Sequence, residues 1–343
     1  MRIYLTFILI CTLCLSTALA QKLAYQLYDS AGTVVSYEWM LSRLDSADVI
    51  LFGEIHNDAL AHWLELQLTE DLYELDTSLV LGAEMLETDD QLLLNEYLTG
   101  TIEARHFEEE AKLWNNYGTD YAPLVSFARQ HQIPFIATNI PRRYASLVSR
   151  EGLARLDSLP EAAKELIAPL PIEVDLSLPG YKNMLDMMGG TTSHGGMSAE
   201  NMASAQAIKD ATMAHFILLN LPKETTFLHF NGSYHSDNFE GIYWYIQQAG
   251  SDIKVKTVSC VSQSDIGRLE EKNTGMADFI IALPEDMTKT YWKLLEWAIQ
   301  LGRWNKNAMV FLLSHTCQLR IACSIAPHPV VSIWWILLRM KRL

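Results

Sequence analysis

Short β-branched or aromatic runs alternate with longer stretches of helical period between Ser46 and Pro284. This alternation predicts an α/β fold, a largely parallel central sheet flanked by helices with inserted helical and loop segments. The first strand is Asp48-Val49-Ile50-Leu51-Phe52, leading into Gly53; the helix after it carries Leu60, Leu64, Leu68 and Leu72 at i+4 spacing. Asn57 or Asp58 can cap that helix. A second strand covers 78–83 and closes at Glu84, and helical segments follow at 91–97, 104–114 and 121–131. The third strand, 133–138, ends at Asn139, with Pro141 at a first helical position. A fourth, 225–230, ends at Asn231-Gly232, and weaker strands follow at 254–261 and 277–283. A helix over 198–219 shows a stripe of small residues, Ala203, Ala207, Ala211 and Ala214. Residues 172–197 lack a clear period and are expected to form a functional or disordered loop.

The two ends change the picture. Residues 1–20 carry Arg2, an apolar run and then Ser16-Thr17-Ala18-Leu19-Ala20, the pattern of a secretory signal cut after Ala20. Export to the periplasm or cell envelope is the expectation, with a single α/β domain over 21–300 and its core at 46–284. Three cysteines would remain after cleavage, Cys260, Cys317 and Cys323, too few for a disulfide framework. From Gly302 the chain becomes basic and apolar: 321–338 are uncharged, Trp334 and Trp335 precede Arg339, Lys341 and Arg342, and Pro327 and Pro329 interrupt the run. The tail 301–343 therefore reads either as membrane-associated or as a packing segment. The net charge is −15, and without Arg2 and the six tail cations the body holds 19 basic against 41 acidic residues. Such a field repels phosphate backbones and excludes nucleic acid as a partner, leaving metal ions and small ligands open.

Ligands of open α/β sheets bind at the carboxyl ends of the strands. The ends named above contribute Glu54 and His56, Glu84, Asn139 with Arg142, and Asn231 with His235. In extended backbone, residues 54 and 56 project to one side. Gly53-Glu54-Ile55-His56 is matched by Gly232-Ser233-Tyr234-His235, and each glycine is expected to let the backbone turn sharply at its strand end. One Gly-x-x-His is a weak motif, and either histidine alone reads as a core or cap residue. The pair, with Glu54 and Glu84, forms an N/O set that can hold Zn, Mn, Fe or Co with an open position, or do acid–base work. Asn139 and Arg142 at a helix start suit an anionic group such as a carboxylate or propionate, or simply cap the helix. The stretch with Tyr181, Met184, Met187, Met188 and His194 offers a polarizable surface for a flat apolar cofactor, with Tyr or His as axial ligand if that cofactor is haem; its plainer alternative is a Met-packed lid. His62, His106, His131, His215 and His229 fall on helices or inside a strand and read as structural or exposed.

Four ordered blocks carry a family resemblance: Gly53-Glu54-Ile55-His56, the run 133–142, Ala205-Gln206-Ala207-Ile208-Lys209-Asp210-Ala211-Thr212-Met213-Ala214, and Asn231-Gly232-Ser233-Tyr234-His235. Over about residues 46–284 the chain resembles the ChaN-like haem-binding uptake family, which is related to the Tiki proteases and the erythromycin esterases. It departs at His194-Gly195, where many ChaN-like proteins are similar to His-Cys-Gly. The resemblance implies an exported haem-binding protein of bacterial iron or haem uptake, with a haem Soret band that substitution of the ligand-binding Tyr181, Tyr234 or His194 would alter. Tiki relatives imply the alternative, a metal-dependent peptidase or esterase built on Glu54, His56, Glu84 and His235. Haem or a small-molecule or peptide ligand is the expected partner, and a homodimer is compatible with either.

Overall fold

The computed structural model describes residues 22–75, 78–187, 198–250 and 252–290. The signal-like segment 1–20, Met188, His194 and the tail 301–343 lie outside the described residues. Within them the strands are β1 (Gln26–Asp29), β2 (Val49–Glu54), β3 (Leu79–Glu87), β4 (Phe135–Asn139), β5 (Thr226–Gly232), β6 (Val255–Gln263) and β7 (Phe279–Pro284). The helices are α1 (Tyr37–Leu44), α2 (Ala59–Glu74), α3 (Gln91–Leu98), α4 (Ala104–Glu110), α5 (Ala122–His131), α6 (Arg142–Glu151), α7 (Glu161–Lys164), α8 (Pro179–Met187), α9 (Ala199–Leu219) and α10 (Ile242–Ala249).

The strands form one sheet in the order β1-β7-β6-β2-β5-β3-β4. Its pairings are parallel except that β1 runs antiparallel on the edge of β7. A parallel strand covered on both faces must be apolar on both, and β2 obeys this from Val49 to Phe52 before ending at the buried Glu54. Ile50 and Phe52 enter the layer with Leu64 and Leu68 of α2 and Leu124 and Val125 of α5. Val49 and Leu51 enter the opposite layer with Met213 and Ile217 of α9 and Ile242 and Ile246 of α10. The small-residue stripe of α9 is a packing feature: Ala203 and Ala207 receive Tyr181 and Met184 of α8, while Ala211 joins the cluster beneath α6.

Chain order explains where a ligand can sit. From β2 the chain passes over the position of β5 to build β3 and β4, then returns through β5 to β6 and β7 on the other side. This reversal leaves a crevice at the carboxyl ends of β2, β5 and β3, the expected place for a ligand in such a sheet. The register of β3 on β4 shifts between Ala83 and Glu87, so two extra residues of β3 accumulate beside Glu84. Irregularities of this kind re-aim side chains next to functional sites.

Several expectations need correcting. The stretch 172–197 is not all loop, because Pro179 opens the helix α8. Its two turns are too short for a period to stand out from sequence. Pro141 is the residue before α6, whose first turn begins at Arg142. The segment expected to be helical over 104–114 stops at Glu110, and a single wide turn of π type spans Tyr117–Tyr121. Strand β1 has four residues and was not visible as a period-2 run. Among the described residues, no helix is long and apolar enough to cross a membrane.

Candidate functional site

The floor of the crevice is a set of buried carboxylates and imidazoles that pair across strands. Glu54, at the end of β2, lies 2.6 Å through Oε1 from Nδ1 of His56, and the same oxygen accepts from the hydroxyl of Tyr121. Glu84, in the irregular part of β3, accepts through Oε2 from the backbone N–H of Gly232 at 2.9 Å. Its Oε1 lies 3.1 Å from Nε2 of His235, while Nδ1 of His235 is bonded to Asp210 of α9. The amide nitrogen of Gln206 is 3.0 Å from the same ring. Asp210 also accepts from the hydroxyl of Tyr181 at 2.7 Å. The site thus runs from Tyr121 and Glu54 through His56 to Glu84, His235, Asp210 and Tyr181.

Gly232 has an ordinary φ of −54°, so the expectation that it serves a sharp turn does not hold. What it lacks is bulk: a Cβ there would lie 2.6 Å from Cε1 and 2.7 Å from Nε2 of His56. The glycine of one Gly-x-x-His is the seat for the histidine of the other. Gly53 plays a similar part, since its Cβ would meet the Ser233 Cα at 2.9 Å. Gly232→Ala should therefore push His56 aside and destabilise the protein by about 1–3 kcal/mol, as overpacking does. Urea unfolding against Gly118→Ala, a position with nothing within 4 Å, checks this; equal midpoints would contradict it.

The protonation pattern follows from these contacts. Burial would push the Glu84 carboxyl up, but the His235 charge and hydrogen bond hold it well below the usual carboxylate range. Burial would likewise depress His235, yet Glu84 and Asp210 push it up to about 10. With Nδ1 facing Asp210 and Nε2 facing Glu84, the ring is an imidazolium at neutral pH. His56 is raised despite burial, by its hydrogen bond to Glu54 and by the charge of Glu84. His235 gives stability that is fully present below about pH 6.5, its unfolded value, and is lost as pH climbs toward about 10. Glu84 gives stability present above about pH 4.5 and lost on acidification. Denaturant midpoints should accordingly be highest near pH 5–6.5 and fall toward pH 9; a profile flat from pH 6 to 9 would contradict the ion-pair assignment.

Comparison with known proteins identifies the scaffold. Residues 40–246 match the family described as haem-binding uptake, Tiki superfamily, ChaN. The chain belongs to this family. No curated protein sequence matches the chain. Among solved structures, it is similar to ChaN of Campylobacter jejuni, described as binding haem cofacially, with 19% identity, a TM-score of 0.58, and coverage of 75% of this chain and 96% of that one. A mutant erythromycin esterase in its open conformation is 12% identical, with a TM-score of 0.46 and coverage of 78% of this chain and 98% of that one.

On this ChaN-family scaffold the residues singled out from sequence divide into floor, rim and support. Glu54, Glu84 and His235 are buried floor residues, and His56 is partly exposed above them, its ring edge-on to Trp114 at 4.8 Å between centroids. Asn139 is buried and donates to the Glu84 carbonyl at 3.0 Å, so it holds the irregular strand; its Oδ1 has no partner. Asn231 is also support, donating to Gly232 O and Ser236 and facing Nδ1 of His229. Arg142 stands out in solvent, 3.7 Å from Glu87. Tyr181, expected to present an axial oxygen from a loop, is instead buried on α8 with its hydroxyl committed to Asp210. Tyr234 is 44% exposed and donates to the Gly180 carbonyl. His194 lies outside the described residues.

The four residues expected to hold a metal do not form its tightest donor group. Among the described residues, the group whose ligating atoms all lie within 4.8 Å of one another is Glu54, His62 and Glu65. His62, which reads from sequence as structural or exposed, is buried, and so are Glu65, Asp120 and Asn116 around it. Their signal was present: His62, Glu65 and Thr69 make an i, i+3, i+7 polar stripe beside the leucines of α2. Asp210 was equally readable as the one charge on the alanine face of α9 between Ala207 and Ala211. Tyr121 was not, because it is aimed by the π-type turn.

Proposed function

We propose that this protein is an exported haem-binding protein of the cell envelope that serves iron or haem uptake, with haem seated on the rim above the floor. Family membership supports haem, and the secretory pattern of residues 1–20 supports export. A porphyrin does not fit the floor, where Glu54, Glu84, His235 and Asp210 are almost fully buried and occupied with one another. The rim groups do fit. The observation that carries the assignment is Tyr234, a half-exposed phenol held by a single carbonyl contact beside the crevice. Bound haem supplies a ferric centre that a phenolate oxygen can ligate. His56 sits lower in the crevice, with Nδ1 bonded to Glu54 and its ring packed on Gly232 and edge-on to Trp114. Arg142, with most of its side chain exposed, is available to a propionate.

The hydrolytic alternative asks His235 to accept a proton as a neutral base. Flanked by two carboxylates, it holds a proton instead. A haemin titration of the secreted protein tests the proposal: a saturable Soret shift at micromolar haemin is expected, and its absence would overturn it. Sequencing of the secreted chain should find Gln21 at the amino terminus; retention of the protein inside the cell would refute export.

A further inference from the structure

A second centre lies behind the haem crevice, between the end of β2 and the first two turns of α2. Glu54 Oε2 and Glu65 Oε1 are buried oxygens without a hydrogen-bond partner. Both residues are at most 3% exposed. Between them sits Nδ1 of His62, 3.4 Å from Glu54 Oε2 and 2.8 Å from Glu65 Oε2. The other ring nitrogen faces the His56 carbonyl at 3.2 Å and Asp120 Oδ2 at 3.5 Å. Asn116 ties the same two groups together, donating to the His56 carbonyl and to Asp120.

The Nε2 side matches a metal-ligating histidine, whose second nitrogen is fixed by a carbonyl or carboxylate; the Nδ1 bond to Glu65 is the hydrogen bond that an incoming ion would replace. The 3.4 Å between His62 Nδ1 and Glu54 Oε2 is of the right size as well, while the 2.8 Å to Glu65 Oε2 is a hydrogen-bond length. With bonds of about 2.0–2.2 Å, a tetrahedral Zn²⁺ separates its ligand atoms by about 3.3–3.6 Å. The charge balance points the same way: Glu54, Glu65 and Asp120 are buried around one imidazole, and buried charges are paired or coordinate metals. We propose that Glu54, His62 and Glu65 hold a divalent first-row transition ion, in a site distinct from the haem rim that shares Glu54 with the floor and uses neither histidine of the paired Gly-x-x-His motifs. One imidazole and two carboxylates without a thiolate suit Zn²⁺, Mn²⁺ or Fe²⁺. Because the donors are buried, the ion braces β2 against α2, and its binding to the native state alone raises thermal stability.

The full secreted chain, stripped with chelator and free of haem, provides the test. Co²⁺ should bind at one equivalent with visible d–d bands, Zn²⁺ should displace it, and Zn²⁺ should raise the thermal midpoint. Glu65→Gln should weaken Co²⁺ binding at least tenfold. X-ray absorption of the Zn²⁺ form of the unsubstituted protein should count one imidazole, which keeps the proposal testable if Glu65→Gln fails to fold. Absence of stoichiometric Co²⁺ binding, undiminished binding by folded Glu65→Gln, or two imidazoles on the ion would each overturn it. None of these results depends on whether haem binds.

Discussion

Replacing Asp210 with alanine is expected to lower the unfolding free energy by about 3–5 kcal/mol, the range for removing one partner of a buried ion pair. The carboxylate is 1% exposed and serves two buried groups, Nδ1 of His235 and the hydroxyl of Tyr181. Without it, an imidazole raised by its acidic neighbours keeps Glu84 as its counter-charge, and α9 loses its tie to Tyr181 of α8 and its charged contact with His235, leaving only that of Gln206. Tyr181→Phe removes one hydrogen bond from the same network and should cost only about 1 kcal/mol. Urea unfolding of the two variants at pH 6 separates them. If Asp210→Ala came within 1 kcal/mol of the unsubstituted protein, the carboxylate would not be holding this floor together.

Tyr234→Phe is expected to weaken haemin binding at least tenfold while leaving the fold intact. The phenol is half exposed and its removed hydrogen bond is a single contact with the Gly180 carbonyl. Its pKa is raised by burial and by the charges of Asp210 and Glu240. The phenol must lose its proton on ligation, so haemin affinity should increase with pH through the neutral range. Tyr181→Phe is the informative companion, since that hydroxyl points inward to Asp210 and should leave haemin affinity nearly unchanged. Equal losses in the two variants would remove Tyr234 from its proposed role.

The sheet was legible because it is parallel. A strand covered on both faces is written as an unbroken apolar run, and Val49-Ile50-Leu51-Phe52 can hardly be read otherwise. The same regularity gave the floor, for parallel strands bring all their carboxyl ends to one edge, and Glu54, Glu84 and His235 meet there. What escaped were residues whose position depends on irregular backbone. Tyr121 is aimed by a π-type turn, and Tyr181, read as an axial ligand on a loop, is turned inward by a helix of nine residues. His62 and Asp210 escaped for a different reason: each lies on a helix, where a polar position, whether the stripe of His62, Glu65 and Thr69 or the single Asp210, reads as solvated until that face is known to be covered.

Resonance Raman spectroscopy of the ferric haem complex tests most directly whether haem is held at the rim by Tyr234. A high-spin spectrum with phenolate vibrations enhanced through a phenolate-to-iron charge-transfer band, lost in Tyr234→Phe, is the predicted result. A low-spin spectrum with imidazole as the iron ligand would instead carry haem down to His56 or to a histidine elsewhere, and would contradict the separation of an occupied floor from an open rim.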